Sequence, residues 1–152
     1  MDYFETSIRC LEAAAPALAR RIRDAREEAG LRYRIEKARS GDLTMLVTDT
    51  EGHERLMHSR HDPRREAQRI VESSVDPEAD CVIVGGFGLA WHIEAILRQA
   101  PSASIVVAED EPAVLAAACS ARDLGPILGG GRIDLADRKS NTSELQSRLH
   151  LV

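Results

Sequence analysis

Gly85, Gly86 and Gly88, in the stretch "CVIVGGFGLAWHIEAILRQA", are the residues of this chain best suited to meet a ligand. They follow an apolar run with the look of a strand and precede a run with the look of a helix. Gly86, Gly88 and Ala90 fall as GxGxA across that junction. Glycine permits positive φ and close approach of a ligand to the backbone, and the helix that follows offers unpaired N–H groups to a polar or anionic group. A second ingredient comes roughly 20 residues later, where "IVVAEDEP" delivers Glu109 to the end of the next strand. A carboxylate there can hold the two hydroxyls of a ribose. Gly85, Gly86, Gly88 and Glu109 are therefore the candidate cofactor contacts, with Asp110 as the fallback acid. A tight structural corner is the competing reading of the same glycines.

Other reactive residue types give less. His58 and His61 in "HSRH" and His92 in "LAWHIE" lack the converging Cys or Asp pair that a metal site needs, so no metal ligands are assigned. His58 or Ser59 is expected to bond local backbone and Asp62 to cap a helix, while His92 is the histidine best placed to touch a ligand. Arg60, Arg64, Arg65 and Arg69 could grip a phosphate, but a solvated helix face explains them more simply. Trp91, the single tryptophan, sits among apolar residues and is expected in the core. No serine stands at an elbow, and no Ser/His/Asp trio is suggested by spacing, so no catalytic residue is assigned. The "GGG" at Gly129 to Gly131 lacks the Lys-Ser/Thr of a P-loop and reads as the entry to a strand.

The elements that must position these residues follow from periodicity. Ile8, Leu11, Ala15, Leu18 and Ile22 draw a helical stripe that Pro16 breaks or kinks, and Gly30 is expected to stop it. Leu31, Tyr33 and Ile35 alternate with charge ahead of the turn "SGD", then "LTMLVT" precedes the turn "TEG". The pattern predicts a small antiparallel meander of three strands. Asp62 as N-cap and Pro63 at the first helical position open a helix with Ala67, Ile70 and Val71 on one face. From Asp80 the pattern becomes strand, helix, strand, helix, strand. "CVIVGG" and "SIVVAE" are apolar enough to be buried on both faces, "RIDLAD" is the third strand, and "TSELQSRLH" can close as a short helix. The fold class expected is α/β: a partial Rossmann-like parallel sheet of about three strands, preceded by N-terminal helices and the meander. The division expected is 1–79 for helices, meander and linking helix, and 80–152 for the nucleotide-binding-type half domain.

"VIVGGFGLAWHIEAILRQAPSASIVVAEDEPAVLAAAC" resembles the first two motifs of class I S-adenosylmethionine-dependent methyltransferases. That likeness implies a glycine turn bordering the methionine moiety, at Gly86 and Gly88, and a ribose held by Glu109. "RLMHSRHDPRREAQRIVES", then "GFGLAWHIEAIL" and "VAEDEPAVL", resembles the N-terminal part of the motility-associated factor (Maf) family of flagellin glycosyltransferases, with its "HS-x-x-DP-x-x-EA" helix start. This second resemblance extends over about Leu18 to Asp134. It implies bacterial motility, nonulosonic sugars and flagellin as acceptor. The family's glycosyltransferase domain follows the region matched, so the expectation is an accessory domain, non-catalytic alone. The alternatives are an S-adenosylmethionine-binding or other nucleotide-binding domain and a purely structural interaction domain. Ala90 stands where both families usually place a third glycine.

Composition sets the outer bounds. With 152 residues and 43% apolar content, the chain is about one domain with a sizeable core. A net charge of -5 argues against nucleic acid as partner. The opening "MDYFETSIRC" does not read as a signal peptide, and no stretch is apolar for long enough to span a bilayer. Cys10, Cys81 and Cys119, widely spaced, are expected as buried reduced thiols of a cytoplasmic protein. A fourth strand beside "CVIVGG" is missing from the pattern, so that edge is expected to be open unless the meander, a protein partner, a second copy or a missing domain covers it.

Overall fold

A computed structural model describes residues 3–136. The chain begins with three helices, α1 (Phe4–Ala14), α2 (Pro16–Asp24) and α3 (Arg26–Arg32). Pro16 takes the first position of α2, where its missing N–H costs nothing, so two helices meet at Ala15. Ile8, Leu11 and Ile22 are buried as their spacing requires, while Ala15 and Leu18 are only partly covered. Gly30 does not stop the helix. Its backbone is not in the left-handed conformation that ends helices, α3 runs on to Arg32, and Leu31 is left on that helix with 81% of its surface exposed.

The meander forms as its alternation predicts. Strands β1 (Tyr33–Lys37), β2 (Leu43–Thr48) and β3 (Glu54–Leu56) are antiparallel in the order β1-β2-β3. Tyr33 pairs with Val47 and Ile35 with Met45, so one register row is apolar, and Met45 is fully buried. Helix α4 (Pro63–Ser74) follows, with the Asp62 carboxylate accepting the Arg65 N–H at 2.9 Å. Ala67 and Val71 face inward. Ile70 does not: it is 57% exposed, although α4 packs against α5 (Trp91–Gln99).

The remaining strands, β4 (Cys81–Gly85), β5 (Ser104–Ala108) and β6 (Ile133–Ala136), are parallel in the order β4-β5-β6. They alternate with α5, α6 (Pro112–Ala121) and the short α7 (Gly125–Leu128). The α/β class and Rossmann-like organisation are as the sequence predicts. Ile105 and Val107 are fully buried, and each such side chain contributes roughly 1.5–3 kcal/mol over leaving it in water. The predicted helix "TSELQSRLH" lies outside the described residues.

β4 is not buried on both faces, because it is an edge strand and only Val84 within it is buried. Successive strands in sequential order carry both connecting helices on one face when their crossovers share a hand. The face of Val84, Ile105 and Val107 is therefore covered, while Ile83 on the other is 69% exposed. Cys81 shares that exposed face, which also corrects the reading of all three thiols as buried: Cys119 is buried, Cys10 half-buried and Cys81 exposed, each a free thiol.

Candidate functional site

The glycine turn lies where the sequence places it, between β4 and α5. Gly86 (φ +87°) and Gly88 (φ +52°) adopt left-handed backbone. So does Ala90 (φ +63°), at the position where a third glycine would stand. An alanine held there sacrifices roughly 1–2 kcal/mol of backbone comfort, and its methyl is fully buried among Phe87, Leu89 and Trp91.

The turn is held by side chains from three other parts of the fold. Glu109, just after β5, accepts the Phe87 N–H on Oε2 at 2.9 Å and the Glu111 N–H on Oε1 at 3.0 Å. Gly86 N–H donates to Ala108 O at 2.9 Å, extending the β4–β5 ladder by one rung. The sequence-predicted pair of Gly86 and Glu109 is thus brought together, a Cβ built on Gly86 lying 4.0 Å from Glu109 Oε2. Both oxygens of that carboxylate are engaged with backbone N–H groups. Asp110 points to another place: with Arg21, Glu28, Arg32 and Glu111 it lines a surface cavity of about 230 Å³ at the start of α6. Gly85, the last residue of β4, has open space where a Cβ would stand.

His58 occupies the outer side of the turn. The meander carries it there from the end of β3, with its carbonyl accepting the Thr44 hydroxyl at 3.0 Å. Leu89 N–H donates to His58 Nε2 at 2.8 Å. The neutral ring therefore carries its proton on Nδ1. A Cβ on Gly88 would lie 2.6 Å from His58 Cε1 and Nε2, so the ring fits only against a glycine. His92, the second residue of α5, bonds through Nε2 to Gly86 O at 3.1 Å, a contact in which the ring nitrogen donates. Burial pushes His58 down to about 4, helped by His92 and Arg122 nearby, and burial likewise lowers His92. Both rings are neutral near pH 7. The two histidines are hydrogen-bond partners of the backbone, and among the described residues no group of three or more His, Cys, Asp or Glu side chains is arranged to hold a metal ion.

The start of α5 is closed by a further cluster that the sequence did not reveal. Arg122, after α6, donates to Leu89 O and to Glu94, and its guanidinium lies 3.6 Å from the centroid of Trp91. Arg64 approaches the same ring at 4.8 Å and pairs with Asp42 at 3.3 Å. Trp91 is in the core as expected, and its indole N–H reaches back to Leu43 O at 2.9 Å on the meander. An arginine closing an alanine-rich helix carries no sequence signal that it will be buried on a tryptophan. His58 did have a signal in the fixed spacing of "HSRHDPRREA", but its partner is Leu89, 31 residues away rather than local. Arg60, Arg65 and Arg69 are exposed, in keeping with a solvated face.

The motif around His58 is a continuous set of backbone restraints. Ser59 N–H donates to Glu66 Oε2 at 2.9 Å, Ser59 Oγ accepts from His61 N–H at 3.1 Å, and Asp62 caps α4. Its histidine then locks the whole corner to the glycine turn. Chemically, the turn is a hydrogen-bonded junction: the Phe87 and Leu89 N–H groups and both oxygens of the Glu109 carboxylate have partners within the chain.

With this geometry in view, comparisons with known proteins place the fold. No family model matches the chain. An uncharacterized protein of Treponema pallidum (strain Nichols) is 27% identical over 117 residues, a match spanning 75% of this chain and 38% of that protein. No helix among the described residues is long and apolar enough to cross a membrane. The solved structure of the MAf glycosyltransferase from Magnetospirillum magneticum AMB-1 superposes with a TM-score of 0.59 at 13% identity, covering 89% of this chain and 27% of that one. The chain thus has a Maf-like fold, spanning little more than a quarter of that glycosyltransferase.

Proposed function

We propose that this chain is an accessory, Maf-like module linked to flagellin glycosylation, non-catalytic by itself, whose glycine turn joins meander to sheet instead of holding a cofactor. The observation that carries the reading is the seat of His58: its ring accepts the Leu89 N–H and covers Gly88, where a nucleotide or S-adenosylmethionine would need open backbone. Glu109 supports it, since both carboxylate oxygens already accept N–H groups and a ribose would have to displace one. The likeness to a Maf glycosyltransferase supports the family link at the level of fold.

Calorimetric titration of the chain with S-adenosylmethionine, S-adenosylhomocysteine and CMP tests this directly. The expected result is no saturable heat at millimolar ligand. Saturable binding of any of the three that Glu109→Ala abolishes would overturn it and restore the cofactor-binding reading.

A further inference from the structure

Among the described residues, the four outer strands of the two sheets differ in what guards them. β1 carries Arg34, Glu36 and Lys37, β3 carries Glu54 and Arg55, and β6 carries Asp134. Charged side chains on an edge discourage pairing with another chain. β4, with the sequence Cys81-Val82-Ile83-Val84-Gly85, has none, and its register against β5 runs without a bulge. It also has no proline. Among the described residues, the one edge left unguarded is the one whose outward side chain, Ile83, is apolar and exposed.

We propose that β4 is the self-pairing edge of a twofold dimer, meeting β4 of a second copy antiparallel with Ile83 on the axis. The hydrogen-bond parity of the strand fits that arrangement. Ser104 N–H donates to Asp80 O and Gly86 N–H donates to Ala108 O, so the even-numbered residues turn their backbone groups inward to β5. Cys81, Ile83 and Gly85 therefore turn theirs outward. A twofold axis through Ile83 sets outward groups opposite outward groups: Ile83 exchanges N–H···O bonds with Ile83 of the second copy, and Cys81 exchanges them with Gly85. An isologous contact must be self-complementary, and Val82-Ile83-Val84 reads the same in both directions. Val82 falls opposite Val84 and Ile83 opposite Ile83, all β-branched pairs of the kind that stabilise antiparallel ladders.

Charge agrees with this register. No charged residue lies within the paired segment, and Asp80 falls opposite Gly86 of the second copy, at the loop feeding the amino-terminal end of α5, where the helix dipole favours an anion. The two Ile83 side chains lie together on the face that the helices leave uncovered. This inference rests on the sheet alone and stands apart from the accessory role proposed above.

Light scattering on the full 152-residue chain, from 1 to 100 µM (roughly the range in which moderate interfaces assemble), should give twice the 16.7 kDa of one copy. Ile83→Asp should weaken association by roughly 100-fold, with Trp91 fluorescence unchanged because Ile83 is exposed. In a Cys81→Ser background, Ile83→Cys should give an oxidised dimer, since directly opposed residues lie about 5.5 Å apart at Cα. The wild-type Cys81 should not, being about 14 Å from its twin along the ladder. A wild-type mass of one copy throughout that range overturns the proposal. So does a dimer that survives Ile83→Asp, or β4 amides that gain exchange protection only when a different polypeptide is added.

Discussion

The contact between His58 and Gly88 carries the reading proposed for the glycine turn, and it can be measured. Gly88→Ala places a methyl 2.6 Å from the imidazole on a backbone at φ +52°. The expected loss is about 3 kcal/mol, combining left-handed strain with overpacking. His58→Ala leaves the buried Leu89 N–H without its acceptor and should cost about 2 kcal/mol. In the double variant the clash is gone, and adding Gly88→Ala to His58→Ala should cost only about 1 kcal/mol, the strain alone. Urea midpoints of the four proteins give the cycle, and strict additivity would mean that ring and glycine do not meet. These residues also mark how far sequence could see. Gly86, Gly88 and Glu109 were legible as a set because strand-to-helix junctions constrain backbone locally. That His58 would cover Gly88 was not, because the contact is made by a meander that docks through long-range contacts such as the Trp91 N–H to Leu43 O bond.

At the scale of elements, periodicity served well where one face of an element is buried and the other wet. The Pro16 break, the three strands of the meander and the Asp62 start of α4 all follow from local chemistry. It failed at β4, because an apolar run records the wish for burial and says nothing of whether a neighbour exists: Cys81 and Ile83 are apolar and exposed. It failed at Gly30, whose backbone stays helical. The cap of α4 illustrates how an element transmits to the site. Asp62→Ala removes the acceptor of the Arg65 N–H and should lower stability by about 1 kcal/mol. Because Ser59, Glu66 and Asp62 restrain the same corner as His58, the Leu89 amide should exchange faster than the global loss accounts for. Hydrogen exchange reads this, and a Leu89 rate that merely follows global unfolding would show cap and turn to be independent.

For the whole molecule, the junction makes stability depend on pH in a predictable sense. His58 has its pKa pushed down to about 4 in the folded chain, below the usual 6.5, and burial moves His92 the same way. The folded state thus binds fewer protons than the unfolded one between these values. The stabilisation is complete above about pH 6.5, erodes as pH falls, and is lost once pH passes the folded value near 4. The shift of His58 corresponds to on the order of 3 kcal/mol across that window, a large fraction of the 5–15 kcal/mol typical of a domain. About half of this loss should appear between pH 6.5 and 5, above the range in which most carboxylates titrate. Arg122 sharpens the effect, because its positive charge faces an imidazole that would become positive too. Glutamine at this position can accept the Leu89 N–H through its side-chain oxygen without titrating. Urea unfolding at pH 7 and pH 5 should therefore show a markedly smaller drop for His58→Gln than for the wild type, the remainder belonging to His92. Equal drops in the two proteins would mean that His58 is free to protonate without leaving the turn, and that contacts such as Trp91 to Leu43 and Tyr33 to Glu111 hold the meander in place.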